Sequence, residues 1–72
     1  MEAGSRDGLT WRVLHRVLWV TLDRPGHLNA WTDAMYLAWA RLLTDAGAAD
    51  NVACVVVTGR GKKAFSAGQD VS

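Results

Sequence analysis

Val17-Leu18-Trp19-Val20-Thr21-Leu22-Asp23-Arg24-Pro25-Gly26 is the stretch that decides the fold. Its first part is rich in β-branched and aromatic residues and predicts a strand. The proline then removes a ladder donor and the glycine permits unusual backbone angles, so the strand ends in a loop. Upstream, Leu9 to Leu14 alternates imperfectly, with Leu9, Trp11 and Val13 set against Thr10, Arg12 and Leu14. That pattern predicts a half-buried strand. His15-Arg16 between the two is a polar break without Gly or Asn, a weak signal for a tight primed turn. Downstream, Thr32 to Ala46 predicts a helix. Thr32 suits the N-cap, Asp33 places negative charge in the first turn, and Met35, Ala38, Trp39, Leu42 and Ala46 form an apolar stripe. Gly47 is expected to stop it. Val52 to Thr58 is a continuous apolar run, as in a strand covered on both faces. Strand, helix and strand in this order predict an α/β fold with a right-handed β-α-β crossover.

The totals bound what this fold can be. With 72 residues the chain holds at most one small domain, and domains below about 70–80 residues rarely draw more than a few kcal/mol from one core. The single cysteine, Cys54, rules out an intrachain disulfide, and no Cys/His spacing suggests a structural metal. Half the residues are apolar and four are tryptophans, so this is not the composition of a disordered tail. A net charge of +1 gives no reason to expect nucleic acid or an acidic membrane surface as partner. Residues 1–8 are polar and glycine-containing and are expected to form a loose leader, with the domain running over 9–72. No apolar run approaches the ~20 residues that span a bilayer, and no secretory signal is evident. A cytoplasmic location is the expectation.

Few side chains here suit acid–base chemistry. The only glutamate, Glu2, falls in the leader, and Asp7, Asp23, Asp33, Asp45 and Asp50 fall at expected turns and helix ends. His15 and His27 both lie in connections. Cys54, set among valines, is expected to be buried and inert. Gly59-Arg60-Gly61-Lys62-Lys63 is a basic loop, but Lys63 is followed by Ala64, so it is not a Walker loop. Two ammonium groups there could still pair with the phosphates of a large anionic ligand. Phe65-Ser66-Ala67-Gly68-Gln69-Asp70 comes next. Small residues after a strand let a ligand approach the main chain, whose N–H groups can stabilise charge on a carbonyl oxygen. Taken alone, the segment also reads as an ordinary turn.

Four segments together resemble the crotonase (enoyl-CoA hydratase/isomerase) family. They are Val20-Thr21-Leu22-Asp23-Arg24-Pro25, Leu28-Asn29-Ala30, Val55-Val56-Val57-Thr58-Gly59 and Lys63-Ala64-Phe65-Ser66-Ala67-Gly68-Gln69-Asp70. The family pattern is similar: a strand ending in Asn/Asp-Arg-Pro, Leu-Asn-Ala at the helix start, a strand ending in Thr-Gly, then Phe-Cys/Ser-Ala-Gly-x-Asp. The resemblance covers Val13 to the end and implies the first β-β-α units of a crotonase-like spiral fold, incomplete here.

It also implies roles. Gln69 would donate its backbone N–H to a thioester oxygen as half of an oxyanion hole. Ser66 and Ala67 would lie along coenzyme A, the latter with backbone contacts to the adenine. Gly26 and Leu28 would flank the pantetheine or nucleotide, Gly26 standing where many relatives carry Lys or another polar residue. Lys63 would pair with a CoA phosphate. Coenzyme A enters as part of an acyl-CoA substrate, with no tightly bound cofactor, and full-length relatives form trimers or pairs of trimers. The second oxyanion donor and the acid–base carboxylates of the family lie further downstream than these residues. Two readings remain: the N-terminal part of an acyl-CoA hydratase/isomerase, inactive by itself, or a non-catalytic remnant or small interaction module that associates through exposed apolar faces.

Overall fold

The computed structural model describes residues 1–62 and 64–69. Strands β1 (Gly4–Arg6), β2 (Leu9–Leu14), β3 (Val17–Leu22) and β4 (Cys54–Gly59) form one sheet in the order β1-β2-β3-β4. The first three are antiparallel neighbours, and β4 pairs parallel to β3. A parallel neighbour demands a long crossover. Helix α1 (Asp33–Ala48) provides it, as the alternation of strand, helix and strand predicted.

The period of two places the core. Leu18, Val20 and Leu22 of β3 face α1, and register sets Leu9 opposite Leu22 and Val13 opposite Leu18. From α1 come Met35, Leu42 and Ala46, with Ala38 and Trp39 packed alongside, so the predicted stripe is the buried one. Thr32 caps the helix: its Oγ1 accepts from Met35 N–H at 3.1 Å. At the other end Gly47 does not stop the helix. It lies within α1, which runs to Ala48 and ends at Ala49 in an extended conformation. An exposed glycine near a helix end costs only about 1 kcal/mol relative to alanine, and the capping bond from Ala49 N–H to Ala46 O forms regardless.

Two further expectations are corrected. The leader is not loose. Asp7 and Gly8 both have positive φ, 52° and 90°, and turn the chain so that β1 pairs with β2. Trp11 Nε1 donates to Glu2 O, and Asn51 Nδ2 donates to Met1 O, which ties down the first residues. An Asp-Gly pair is a strong signal for a primed two-residue hairpin. His15 and Arg16 make the same kind of turn between β2 and β3, with φ of 51° and 66°, although neither is Gly or Asn.

The second correction concerns β4, which is not covered on both faces. It is the last strand of the sheet, and Cys54, Val55, Val56 and Thr58 are exposed. On the sheet face away from α1, Val56 adjoins Trp19, and Val17 of the same face lies opposite Leu14. Cys54 is therefore an exposed thiol and not a buried one. An apolar run reports that a strand wants cover. Whether the cover comes is decided by which layers are present around it.

Candidate functional site

The ends of β3 and β4 carry the two connections that make the site, because parallel strands leave the sheet on the same side. After β3, Asp23 and Arg24 lead into a single 3-10 turn, Pro25–His27. Leu28 and Asn29 come next in the left-handed region, with φ of 52° and 55°. Two such residues in succession reverse the chain, so that Ala30 is buried and Trp31 precedes the helix cap. Trp31 is held by aromatic contact with α1: its ring stacks on Tyr36 at 5.1 Å and meets Trp39 edge-on at 5.9 Å.

After β4, Arg60 N–H donates to Leu22 O at 2.8 Å, continuing the sheet by one bond. The chain then returns across the first connection. A Cβ on Gly59 would stand 2.8 Å from Phe65 Cα and 2.9 Å from Asn29 Nδ2, so only glycine allows this close crossing. Ser66 Oγ donates to Asn29 O (2.9 Å) and accepts from Gly68 N–H (3.1 Å). Ala67 N–H donates to Leu28 O (2.8 Å), and Trp31 N–H donates to Gly68 O (2.7 Å). A parallel bridge pairs Trp31 with Gln69. Leu28, Ser66, Ala67 and Gln69, separate in sequence, thus form one stitched unit.

Gln69 has the feature that matters chemically. It is exposed, and its backbone N–H donates to no group among the described residues. A fixed, unused main-chain donor is what stabilisation of a developing oxyanion requires. Leu28 and Phe65 are 42% and 57% exposed, which leaves an apolar margin beside this unit. Gly26 is exposed on the 3-10 turn of the same connection, one residue before His27. Lys63 and Asp70, also singled out in the sequence, lie outside the described residues.

The polar surroundings are structural. Arg60 Nε pairs with Asp23 Oδ1 at 2.7 Å, and Thr10 Oγ1 reaches Asp23 Oδ2 at 3.4 Å. Asp7 pairs with Arg6 within the first hairpin, and Asp33 sits in the first turn of α1. These are the turn and helix-end roles read from the sequence. His15 and His27 are exposed in connections. Among the described residues no cluster of His, Cys, Asp or Glu suits a metal, and no helix is long and apolar enough to cross a membrane. A groove of about 540 Å³ lies elsewhere, between the N-terminal residues and α1, with Met1, Trp11, Leu37 and Arg41 in its walls. It contains none of the stitched residues.

Two residues of the site carry more than the sequence assigned them. Asn29 was legible only as part of a family pattern, and Gly59 only as the residue that ends a strand. Asn is enriched in left-handed conformations, and a glycine directly after a strand permits close approach. Those were the available signals.

A parallel β-α-β crossover whose two strand ends carry interlocked turns with a spare backbone donor defines the class: an α/β domain with its candidate site at the ends of β3 and β4. The comparisons narrow it. Residues 17–72 match the family description enoyl-CoA hydratase/isomerase, and the chain belongs to that family. It is 38% identical over 56 residues to the 1,2-epoxyphenylacetyl-CoA isomerase of Escherichia coli (strain K12), covering 78% of this chain and 21% of that protein. It is 45% identical over 58 residues to an uncharacterized protein of Caenorhabditis elegans, covering 81% and 23%. The crystal structure of an enoyl-CoA hydratase from Mycobacterium marinum superposes with a TM-score of 0.84 at 43% identity, covering 90% of this chain and 30% of that one. The fold is thus an incomplete crotonase-type α/β fold. The chain spans between a fifth and a third of the length of the relatives it matches.

Proposed function

We propose that this chain forms the N-terminal part of an acyl-CoA binding site in which Gln69 N–H is one of two donors to the thioester oxygen. The observation that carries the reading is the exposed, unengaged N–H of Gln69 at the end of a loop fastened to Leu28, Asn29 and Trp31. Membership of the enoyl-CoA hydratase/isomerase family supplies the substrate class. Ser66, Ala67, Leu28 and Gly26 would line the path of coenzyme A, and Lys63 would meet a phosphate. Coenzyme A arrives as part of the substrate, and no other cofactor is invoked. Polarisation of the thioester carbonyl would stabilise an enolate-like intermediate. A trimeric or hexameric assembly and a cytoplasmic location belong to the same proposal and rest on family resemblance and composition.

Loss of one oxyanion donor typically costs about 10²–10³ in rate. One donor without its partner and without a positioned base should therefore give no hydratase turnover from these 72 residues. Robust turnover by the purified chain would refute that. Calorimetric titration with a short-chain 2-enoyl-CoA tests the binding claim. Measurable heat that exceeds the heat from free coenzyme A supports it, and no detectable heat overturns it.

A second reading is association without chemistry. The observation favouring it is the edge strand β4, with Val55 exposed on one face and Val56 exposed on the other, where Trp19 and Leu14 also lie open. Analytical ultracentrifugation separates the two. A stable self-assembled particle that ignores acyl-CoA favours association.

A further inference from the structure

Asn29 is the buried polar side chain of the described core, with no exposed surface. Both ends of its amide are engaged. Oδ1 accepts from Arg24 N–H at 2.8 Å, while Nδ2 donates to Arg60 O at 2.8 Å and to Ala64 O at 3.2 Å. The orientation of the amide is fixed by these partners: reversing it would set an N–H₂ against an N–H and an oxygen against two carbonyls. Arg60 O and Ala64 O bracket the basic loop, so one amide closes that loop at both ends and fastens it to the turn after β3. The main chain of the same residue completes the clasp, since Asn29 N–H donates to Arg24 O and Asn29 O receives the Ser66 hydroxyl.

The residues beyond Ala64 reach their places through this point. Ser66 rests on Asn29, Ala67 on Leu28 and Gly68 on Trp31, and Gln69 is next in line. Asn also suits the backbone here, because φ is 55° and few other side chains adopt that region readily. No similar residue has both properties. Aspartate would keep the bond from Arg24 N–H but turn an oxygen toward two carbonyls. Alanine would take this partner away from Arg24 N–H, Arg60 O and Ala64 O, and glycine would accept the backbone angle without supplying the amide.

We propose that Asn29 is the positioning residue of the oxyanion loop: its side-chain amide, touching no ligand, holds the 64–69 segment so that the Gln69 N–H presents to a thioester oxygen. The loop-holding half stands on the hydrogen bonds alone, and the presentation half rests on the function proposed above.

The test is amide hydrogen exchange by NMR on the 72-residue chain, with Asn29→Asp and Asn29→Gly, alongside calorimetric titration with a short-chain 2-enoyl-CoA. Asn29→Gly keeps the left-handed backbone accessible, so it decides the matter if Asn29→Asp does not fold. The Ala67 and Trp31 amides are expected to exchange about tenfold faster or more in both variants, with the β2–β3 ladder amides nearly unchanged. Acyl-CoA affinity is expected to fall by about tenfold in step with them. Unchanged Ala67 and Trp31 protection overturns the proposal, and so does an equal loss in loop and ladder, which would make Asn29 a general core residue. Undiminished acyl-CoA affinity in a variant whose loop amides have opened also overturns it. If the unsubstituted chain binds no acyl-CoA, the proposed function fails, while the exchange data still decide whether Asn29 holds the loop.

Discussion

The two hairpins at the front of the chain and the clasp at the ends of β3 and β4 are both made of left-handed residues and backbone hydrogen bonds, yet they are built on opposite scales. Asp7-Gly8 and His15-Arg16 reverse the chain between strands adjacent in sequence, and the pairing that closes each turn is local, although Gly8 O also accepts from Asp23 N–H and Arg16 O from Ala53 N–H. Leu28-Asn29 reverses the chain just as sharply, but its partners are Arg60, Ala64, Ser66 and Ala67. Local turns can form before the fold exists. The clasp forms only after the crossover helix has laid β4 beside β3, because the entropy of closing that loop must already be offset by strand pairing and core burial. The site is therefore placed where local structure ends and long-range packing begins.

Substitutions that act on one region and spare the other test this contrast. The largest effect is expected at Gly59. A Cβ there meets Phe65 Cα and Asn29 Nδ2, so Gly59→Ala should cost about 2–3 kcal/mol in urea unfolding and speed exchange at Ala67. Retained stability with a protected Ala67 amide would remove the close crossing from the account. Next is Gly8→Ala. With φ of 90° the alanine is strained, and its Cβ would stand 2.9 Å from Cγ of the flexible Arg24 side chain, so a loss of about 1–2 kcal/mol is expected without selective opening of the clasp amides. Selective loss at Ala67 and Trp31 would mean that the two regions are coupled. The smallest effect is expected from Arg60→Ala. Its ion pair with Asp23 is half exposed, and its part in the clasp is played by the main-chain carbonyl, so a change below about 1 kcal/mol is expected. A larger change, with the clasp amides opening, would make the Arg60 side chain a member of it.

Much of this was legible in the residues. The bounds of β2 and β3, the Thr32 cap, the apolar stripe of α1 and the parallel crossover were all readable from periodicity and capping chemistry. The Asp7-Gly8 turn was equally legible in principle, because its signal is local, but the polar composition of residues 1–8 masked it. The extent of α1 past Gly47 was not legible, since a glycine near a helix end serves as a stop or as a tolerated interior residue depending on the backbone path of its successors. Nor was the exposure of β4: Val55-Val56-Val57 is the same string whether or not a neighbour covers it. For the candidate site, family resemblance singled out Leu28, Ser66, Ala67 and Gln69, and the fold joins these four. The reason they stay together, the Asn29 amide, lies in contacts 31 and 35 residues away.

The residues by themselves determined β2, β3, α1 and β4, their order and the family, because helix and strand periods, caps and turn preferences act over short distances. Only the tertiary structure decided that β4 is an edge, that Cys54 is exposed, and that the turn after β3 and the loop after β4 close on one buried amide. Those outcomes depend on which segments meet across the sheet. A hydrogen bond between residues thirty apart has no signature at either end until the crossover brings the ends together.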